Sequence, residues 1–265
     1  MRRLAVLGHP VAHSRSPAMH NAALAELGLA AEWAYEAIDV APDEFERRVG
    51  EMPGEGFAGA NVTVPHKGAA LSLADSLSET AREIGAANTL SFAAGEVRAE
   101  NTDAAGLLDA LPEPPQGRRA LVLGAGGAAR AVVWGLAREG AEVEVWNRTR
   151  LRSRNLCDEL GGKPVDALDP GTYELIVNAT SVGLRGEDPF AELPLKAGDL
   201  DQRHTVVDLV YGSMPSRLLT VAAMAGATTV DGIEVLVRQG ARSLQIWTGR
   251  EPPLDVMRAA AHAPG

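Results

Sequence analysis

Cysteine is all but missing from the chain: Cys157 is the only one in 265 residues. An intrachain disulfide is therefore impossible, which fits a reducing compartment, and multi-cysteine zinc sites are excluded. Cys157 itself, in an Arg-rich helical stretch, reads as a packing residue. No HExxH run occurs among the six histidines, so no metal is expected. The Gly-x-Ser-x-Gly turn of a serine nucleophile is absent too. Aromatics are few (4 Trp, 3 Tyr, 4 Phe), so the core must be built from Ala, Val and Leu. Cations are in deficit: 25 Lys and Arg against 35 Asp and Glu leave a net charge of −10. Nucleic acids and anionic membranes call for a surplus of cations, so neither is an expected partner. An anionic small ligand must find a local pocket of donors. No apolar run approaches the ~18–20 residues of a membrane span. The apolar stretch at residues 1–8 is too short for a signal peptide and reads as a buried strand, so a cytoplasmic protein is expected.

At about 100–200 residues per domain, the length allows one large domain or two modest ones. Strand-like and helix-like stretches alternate throughout, the mark of an α/β architecture with parallel sheet. In the first half, strands are expected at 3–7, 33–39 and 60–64 and helices at 17–27, 43–50 and 66–74. A hairpin of 88–93 and 96–100 should turn at Ala94-Gly95. Ser16 stands where an N-cap belongs, Pro17 at the first helical position and Gly28 just past the end. The Pro-rich run at 112–117 breaks the pattern. Beyond it, strands near 120–123, 142–146, 174–178, 205–209 and 227–230 alternate with helices, and two long helices follow at about 233–248 and 254–262. Residues 102–236 thus form a candidate nucleotide-binding sheet of Rossmann type. Residues 1–101 form a separate α/β unit, completed by the returning helices of 237–265.

Gly124-Ala125-Gly126-Gly127-Ala128-Ala129 matches the dinucleotide fingerprint in its alanine variant, after a strand and opening a helix. Gly124 permits the tight turn, Gly126 lets the backbone approach a pyrophosphate, and the helix N-terminus supplies N–H donors. A glycine turn without a ligand is the plainer alternative; strand, turn, helix and next strand in register favour a dinucleotide. At the end of that next strand an NAD enzyme usually places Asp or Glu on the ribose hydroxyls. This chain has Asn147-Arg148-Thr149-Arg150, then Arg152 and Arg154. Such a local basic excess in an acidic chain argues for NADP held by Arg148 and Arg152, against the alternative of a solvated basic loop.

The first half carries polar clusters at strand ends and helix starts: Ser14-Arg15-Ser16, Asn61 to Lys67, Asn88-Thr89 and Asn101-Thr102-Asp103. Each has a structural alternative. Ser16 can be an N-cap, Asp103 can complement a helix dipole, and Asn61 and Thr63 can be the exposed side of a strand. His13 and His66 read as structural before functional. Lys67 is the most suggestive, because a positive charge in the first turn of a helix is disfavoured by the dipole. Paired with an aspartate beside a nicotinamide, such a lysine suits reversible oxidation of a secondary alcohol.

Taken together, the motifs resemble those of the shikimate dehydrogenase family along essentially the whole chain. They run from Gly8-His9-Pro10 through Ser14-Arg15-Ser16-Pro17, Asn61-Val62-Thr63-Val64-Pro65-His66-Lys67, Gly85-Ala86-Ala87-Asn88-Thr89 and Asn101-Thr102-Asp103. The glycine turn, Asn147-Arg148-Thr149, the 178–183 run, Asp208-Leu209-Val210-Tyr211, Asp231-Gly232 and Gln239 follow in order. The resemblance implies NADPH-dependent reduction of 3-dehydroshikimate to shikimate, on the route to aromatic amino acids. It implies a two-domain α/β fold with the last helices on the first domain. By the same resemblance Ser14 and Ser16 hold the substrate carboxylate, and Asn61, Thr63, Asn88, Asp103, Tyr211 and Gln239 surround the ring hydroxyls. Lys67 corresponds to the acid/base residue with Asp103 as its partner. Cofactor contacts fall on Gly124, Ala125, Gly126, Gly127, Ala128, Asn147, Arg148, Thr149, Arg152, Leu209 and Gly232, with Glu79 aligned less securely. Val235 departs from relatives, which often carry methionine there. Two alternatives stay open, a quinate/shikimate dehydrogenase with relaxed cofactor use and a non-catalytic NADP-binding sensor. Association as a homodimer is also open.

Overall fold

The computed structural model describes residues 1–212 and 214–263. The chain divides into two compact units, Met1–Gly106 with Leu236–Gly265, and Leu107–Val235. No helix among the described residues is long and apolar enough to cross a membrane.

The first unit is a mixed six-stranded sheet with the order β2-β1-β3-β5-β6-β4. Its strands are β1 (Arg2–Gly8), β2 (Trp33–Asp39), β3 (Phe57–Val62), β4 (Ser76–Leu77), β5 (Thr89–Ala93) and β6 (Glu96–Glu100). Its helices are α1 (Ser16–Glu26), α2 (Phe45–Glu51), α3 (Lys67–Leu73), α4 (Glu79–Ile84) and α5 (Asp103–Ala110), the last running into the second unit. The central strand β1 pairs in parallel with β2 on one side and β3 on the other, so the chain reverses direction across the sheet between β1 and β3. Such a switch point opens a crevice at the carboxyl ends of the strands. There β1 leads to Ser14 and Ser16, and β3 leads to Lys67. The antiparallel hairpin adds to the same end, since Asn61 pairs with Thr89 and Thr89 with Glu100. Register alone therefore collects three of the four polar clusters.

The hairpin turns at Ala94-Gly95 as expected, both with positive φ. Gly28 past α1 is left-handed, but Arg15, not Ser16, is the N-cap residue, and Ser16 opens the helix. The strand expected at 60–64 begins earlier and stops at Val62, which leaves Thr63 beyond the sheet. β4 and α4 lie where the sequence suggested no element. The helices α10 (Gly232–Thr248) and α11 (Leu254–His262) return to this unit, α11 against α1 and α10 against the sheet. The Trp247 indole donates to Leu90 O at 3.0 Å, and Gly59 lies flush beneath it. A Cβ at Gly59 would stand 2.5 Å from Leu90 O and 2.2 Å from the indole nitrogen. Gly59→Ala is therefore expected to cost about 1–3 kcal/mol of stability through overpacking. Thermal unfolding checks it, and an unchanged midpoint would mean that α10 shifts aside at no cost.

The second unit is an all-parallel six-stranded sheet, β12-β11-β10-β7-β8-β9. Its strands are β7 (Arg119–Leu123), β8 (Glu142–Trp146), β9 (Lys163–Pro164), β10 (Leu175–Asn178), β11 (Thr205–Asp208) and β12 (Thr228–Asp231). Helices α6 (Gly127–Arg138), α7 (Arg150–Leu160), α8 (Pro189–Glu192) and α9 (Arg217–Met224) connect them. Strand order reverses between β7 and β10, the doubly wound arrangement of dinucleotide-binding sheets. The core on one face is Val, Ala and Leu, with Cys157 and Val235 packed into it. Burial pushes the Cys157 thiol up to about 11, as suits a packing residue.

Candidate active site

In the first unit, Lys67 Nζ donates to Asp103 Oδ2 at 2.5 Å, and the two side chains are 12% and 18% exposed. Lys67 is the first residue of α3, whose opening is tied down by Ala87 N–H donating to Lys67 O. Asp103 opens α5 after Asn101, whose side-chain oxygen accepts the Asp103 N–H at 3.0 Å. Its other carboxylate oxygen accepts Asn88 Nδ2 at 2.9 Å. Asn88 also donates to Gln239 Oε1 at 3.0 Å and accepts Thr102 N–H at 2.8 Å. A backbone donor thus fixes which edge of the Asn88 amide faces the carboxylate. Asn61 and Asn88 are both buried, as is Gln239. The alternative that Asn61 is merely the outer face of a strand is therefore overturned.

Ser14 and Ser16 stand together, with Ser14 Oγ accepting Ser16 N–H at 3.3 Å. The Ser16 hydroxyl has no hydrogen-bond partner among the described residues and remains available. Thr63 is half-buried beyond the end of β3, and its methyl is what a Cβ at Gly8 would strike. Its hydroxyl does not join the hydrogen-bonded cluster. Glu79 is an exposed first-turn residue of α4 after the edge strand β4, outside that cluster.

The histidines are structural or unpaired with the cluster. His66 is buried, stacks on Phe45 at 4.4 Å, and its Nε2 bonds Val40 O at 2.7 Å; burial lowers its pKa. His20 stacks on Tyr35 at 4.2 Å with neither buried ring nitrogen hydrogen-bonded among the described residues, and burial pushes its pKa down to about 3. His9 and His13 have the spacing of a zinc-binding helix, but their segment is not helical and His9 pairs with Asp39. Among the described residues no group of three side chains could hold a metal.

In the second unit the glycine turn behaves as its sequence suggests. Gly124 has φ +116, and a Cβ there would lie 2.9 Å from Ala179 O, so β7 and the segment after β10 meet backbone to backbone. Gly126 caps α6 without a side chain, and a Cβ there would meet nothing within 4 Å. The start of α6 at Gly127 is thus capped by no side chain and has open room at Gly126, which fits the close approach of a pyrophosphate to a helix N-terminus. Asn147 Nδ2 is bonded to Thr149 O at 2.9 Å, holding the loop that leads into α7. Arg150 is committed to Asp166 at 2.9 Å, whereas Arg148, Arg152 and Arg154 are exposed and make no ion pair among the described residues. Two of these open cations suit a 2′-phosphate.

Leu209 is half-buried after β11, and a Cβ on Gly232 would strike the carbonyls of Asp208 and Leu209 at 2.7 and 2.8 Å. Asp208 beneath them is buried, which raises its pKa, and it accepts Asn178 Nδ2 at 2.9 Å and Ser216 Oγ at 2.6 Å. Tyr211 lies half-buried in the loop after β11.

Three family models match the chain: "Shikimate dehydrogenase substrate binding domain" over residues 6–90, "Shikimate / quinate 5-dehydrogenase" over 110–182, and "Shikimate 5'-dehydrogenase C-terminal domain" over 232–262. A relative from Methanocella arvoryzae, a shikimate dehydrogenase (NADP(+)), is 44% identical over 97% of this chain and 96% of its own. One of the same name from Thermus thermophilus is 46% identical over 98% of both. Among solved structures, the shikimate dehydrogenase of Aquifex aeolicus superposes with a TM-score of 0.93 at 35% identity, over 99% of this chain and 98% of that one. A Thermus thermophilus shikimate 5-dehydrogenase, in complex with NADP(H) and shikimate, gives 0.90 at 44% identity over 98% of each. By sequence and fold together, the chain belongs to the shikimate dehydrogenase family.

Proposed function

We propose that this chain is an NADP-dependent shikimate dehydrogenase, reducing 3-dehydroshikimate to shikimate reversibly. The observation that carries the reading is the Lys67–Asp103 pair, set among the buried amides of Asn61, Asn88 and Gln239. NADPH supplies the hydride for the carbonyl carbon. Lys67 gives a proton to the carbonyl oxygen as it gains charge, and takes it back in the oxidation direction. Asp103 aligns the ammonium group through Oδ2 while Asn88 holds its Oδ1. Asn61, Thr63, Asn88, Tyr211 and Gln239 take the ring hydroxyls in this reading, and Ser14 and Ser16 take the carboxylate. Gly124 to Ala128, Asn147, Arg148, Thr149, Arg152, Leu209 and Gly232 hold the dinucleotide, with Glu79 a further contact. Turnover of shikimate with NADP⁺, followed by NADPH absorbance, tests the reading. Binding without turnover would leave a sensor, and faster turnover with quinate and NAD⁺ would favour the quinate-type alternative.

Carboxylate anchoring is equal in ground and transition states, so it sets KM rather than kcat. Changing Ser14 and Ser16 together to Ala is expected to raise the KM for shikimate about 10- to 100-fold, with kcat within a few-fold. Steady-state kinetics decide it; a fall in kcat at unchanged KM would place the serines in the chemistry instead.

A further inference from the structure

The polar cluster of the first unit continues inward past the groups assigned so far. Tyr35, on β2, donates its phenolic O–H to Asn61 Oδ1 at 2.8 Å. The opposite edge of that amide donates to Ser243 Oγ at 2.9 Å and lies 3.2 Å from Asn88 O. A carbonyl only accepts, so the edge facing Asn88 O must be the NH₂ and the edge facing Tyr35 must be the oxygen. Ser243 is completely buried on α10, one turn beyond Gln239, and its hydroxyl donates back to Gln239 O at 3.1 Å. It also lies 2.8 Å from Thr89 Oγ1 and 3.2 Å from Thr102 Oγ1. Both threonine hydroxyls reach Asn88 Oδ1, at 3.1 and 3.2 Å. One serine hydroxyl thus joins the Asn61 side of the cluster to the Asn88 side.

We propose that Tyr35 and Ser243 are positioning residues of the active site, holding the Asn61 amide directly and, through Thr89 and Thr102, the Asn88 amide that braces Asp103. The inference rests on the reading of this unit as the one that takes shikimate. Both groups lie behind the amides and act through them, so the effect of removing them depends on what the amides do. Asn61 that can rock or turn over presents the wrong edge for part of the time, and shikimate affinity falls by that fraction.

Tyr35→Phe removes one oxygen and keeps the ring stacked on His20, so it tests the idea with little disturbance of packing. The KM for shikimate should rise about 3- to 10-fold, the scale of one hydrogen bond, with kcat and the KM for NADP⁺ within about twofold. Ser243→Ala should raise the same KM and also lower kcat, because it loosens Asn88 and Asp103 as well. The deciding measurement repeats Tyr35→Phe in an Asn61→Ala background, where it should add nothing to KM. A rise of equal size in both backgrounds, or a lower melting temperature with KM unchanged in Tyr35→Phe, would overturn the proposal. Wild-type turnover of shikimate is measured alongside; its absence removes the underlying reading, whereas its presence leaves the double-mutant cycle to decide.

Discussion

Lys67→Ala is expected to lower kcat about 10²- to 10⁴-fold, the usual worth of positioned proton transfer, and to leave shikimate binding nearly intact. The binding side follows from numbers. One lost hydrogen bond among many costs about 1–2 kcal/mol of affinity, and the buried amides around it are untouched. Lys67→Arg separates charge from chemistry. A guanidinium can keep an ion pair with Asp103, but it does not give up a proton at neutral pH, so turnover should stay low. Comparing kcat with the shikimate dissociation constant in both variants checks the assignment. Near-normal kcat in either would remove Lys67 from proton transfer.

The second large effect concerns the cofactor. The wild type should prefer NADPH over NADH strongly, because a 2′-phosphate gives Arg148 and Arg152 the partner that they lack among the described residues. A hydrogen bond to a charged group is worth about 1.5–3 kcal/mol, so one such contact gives roughly a 10- to 150-fold preference. Two contacts exceed that, less what exposure and salt remove. Arg148→Asp should cut the preference sharply or invert it, since it places a carboxylate where a ribose hydroxyl can be bound and a phosphate is repelled. The ratio of kcat/KM for the two cofactors, measured in wild type and variant, is the test. Equal use of both by the wild type would sink the assignment of these arginines.

Much of the fold is legible in the sequence. The second half has strands of four or five residues separated by helical stretches, so β7, β8, β10, β11 and β12 can be placed within a residue or two. β4 and β9 cannot, because a two-residue strand has no alternation to detect. α4 escapes for a similar reason, being a six-residue helix of mixed polarity. At the site, the motifs give the residues but not their depth. Asn61 near the end of a strand looks the same in sequence whether it faces water or Ser243. Tyr35 and Ser243 belong to no motif, and only register and helix packing bring them to Asn61. One signal lies in the composition itself. Of 25 basic residues only Lys67, Lys163 and Lys196 are lysines, so the chain prefers arginine almost everywhere that a fixed charge suffices. Of the three, Lys163 and Lys196 are exposed and, among the described residues, only Lys67 is held against an aspartate, the place where a lysine rather than an arginine suits the proposed proton transfer.

The first unit is discontinuous, and this sets the order in which the molecule can be made. Leu107–Val235 emerges from the ribosome as an unbroken segment and can close its sheet without waiting for anything downstream. The segments that carry Asn61, Asn88 and Asp103 are made first, yet Gln239 and Ser243 arrive only after the whole of Leu107–Val235. At about 5–20 residues per second, the delay is roughly 6 to 26 seconds. Through that interval the sheet face around Gly59 is bare and the buried amides have no partners on α10. A chain arrested just after Val235 would carry the whole second unit while the amides of Asn61 and Asn88 still lack Ser243 and Gln239. The part of the nascent protein that is made first is therefore the last to be completed.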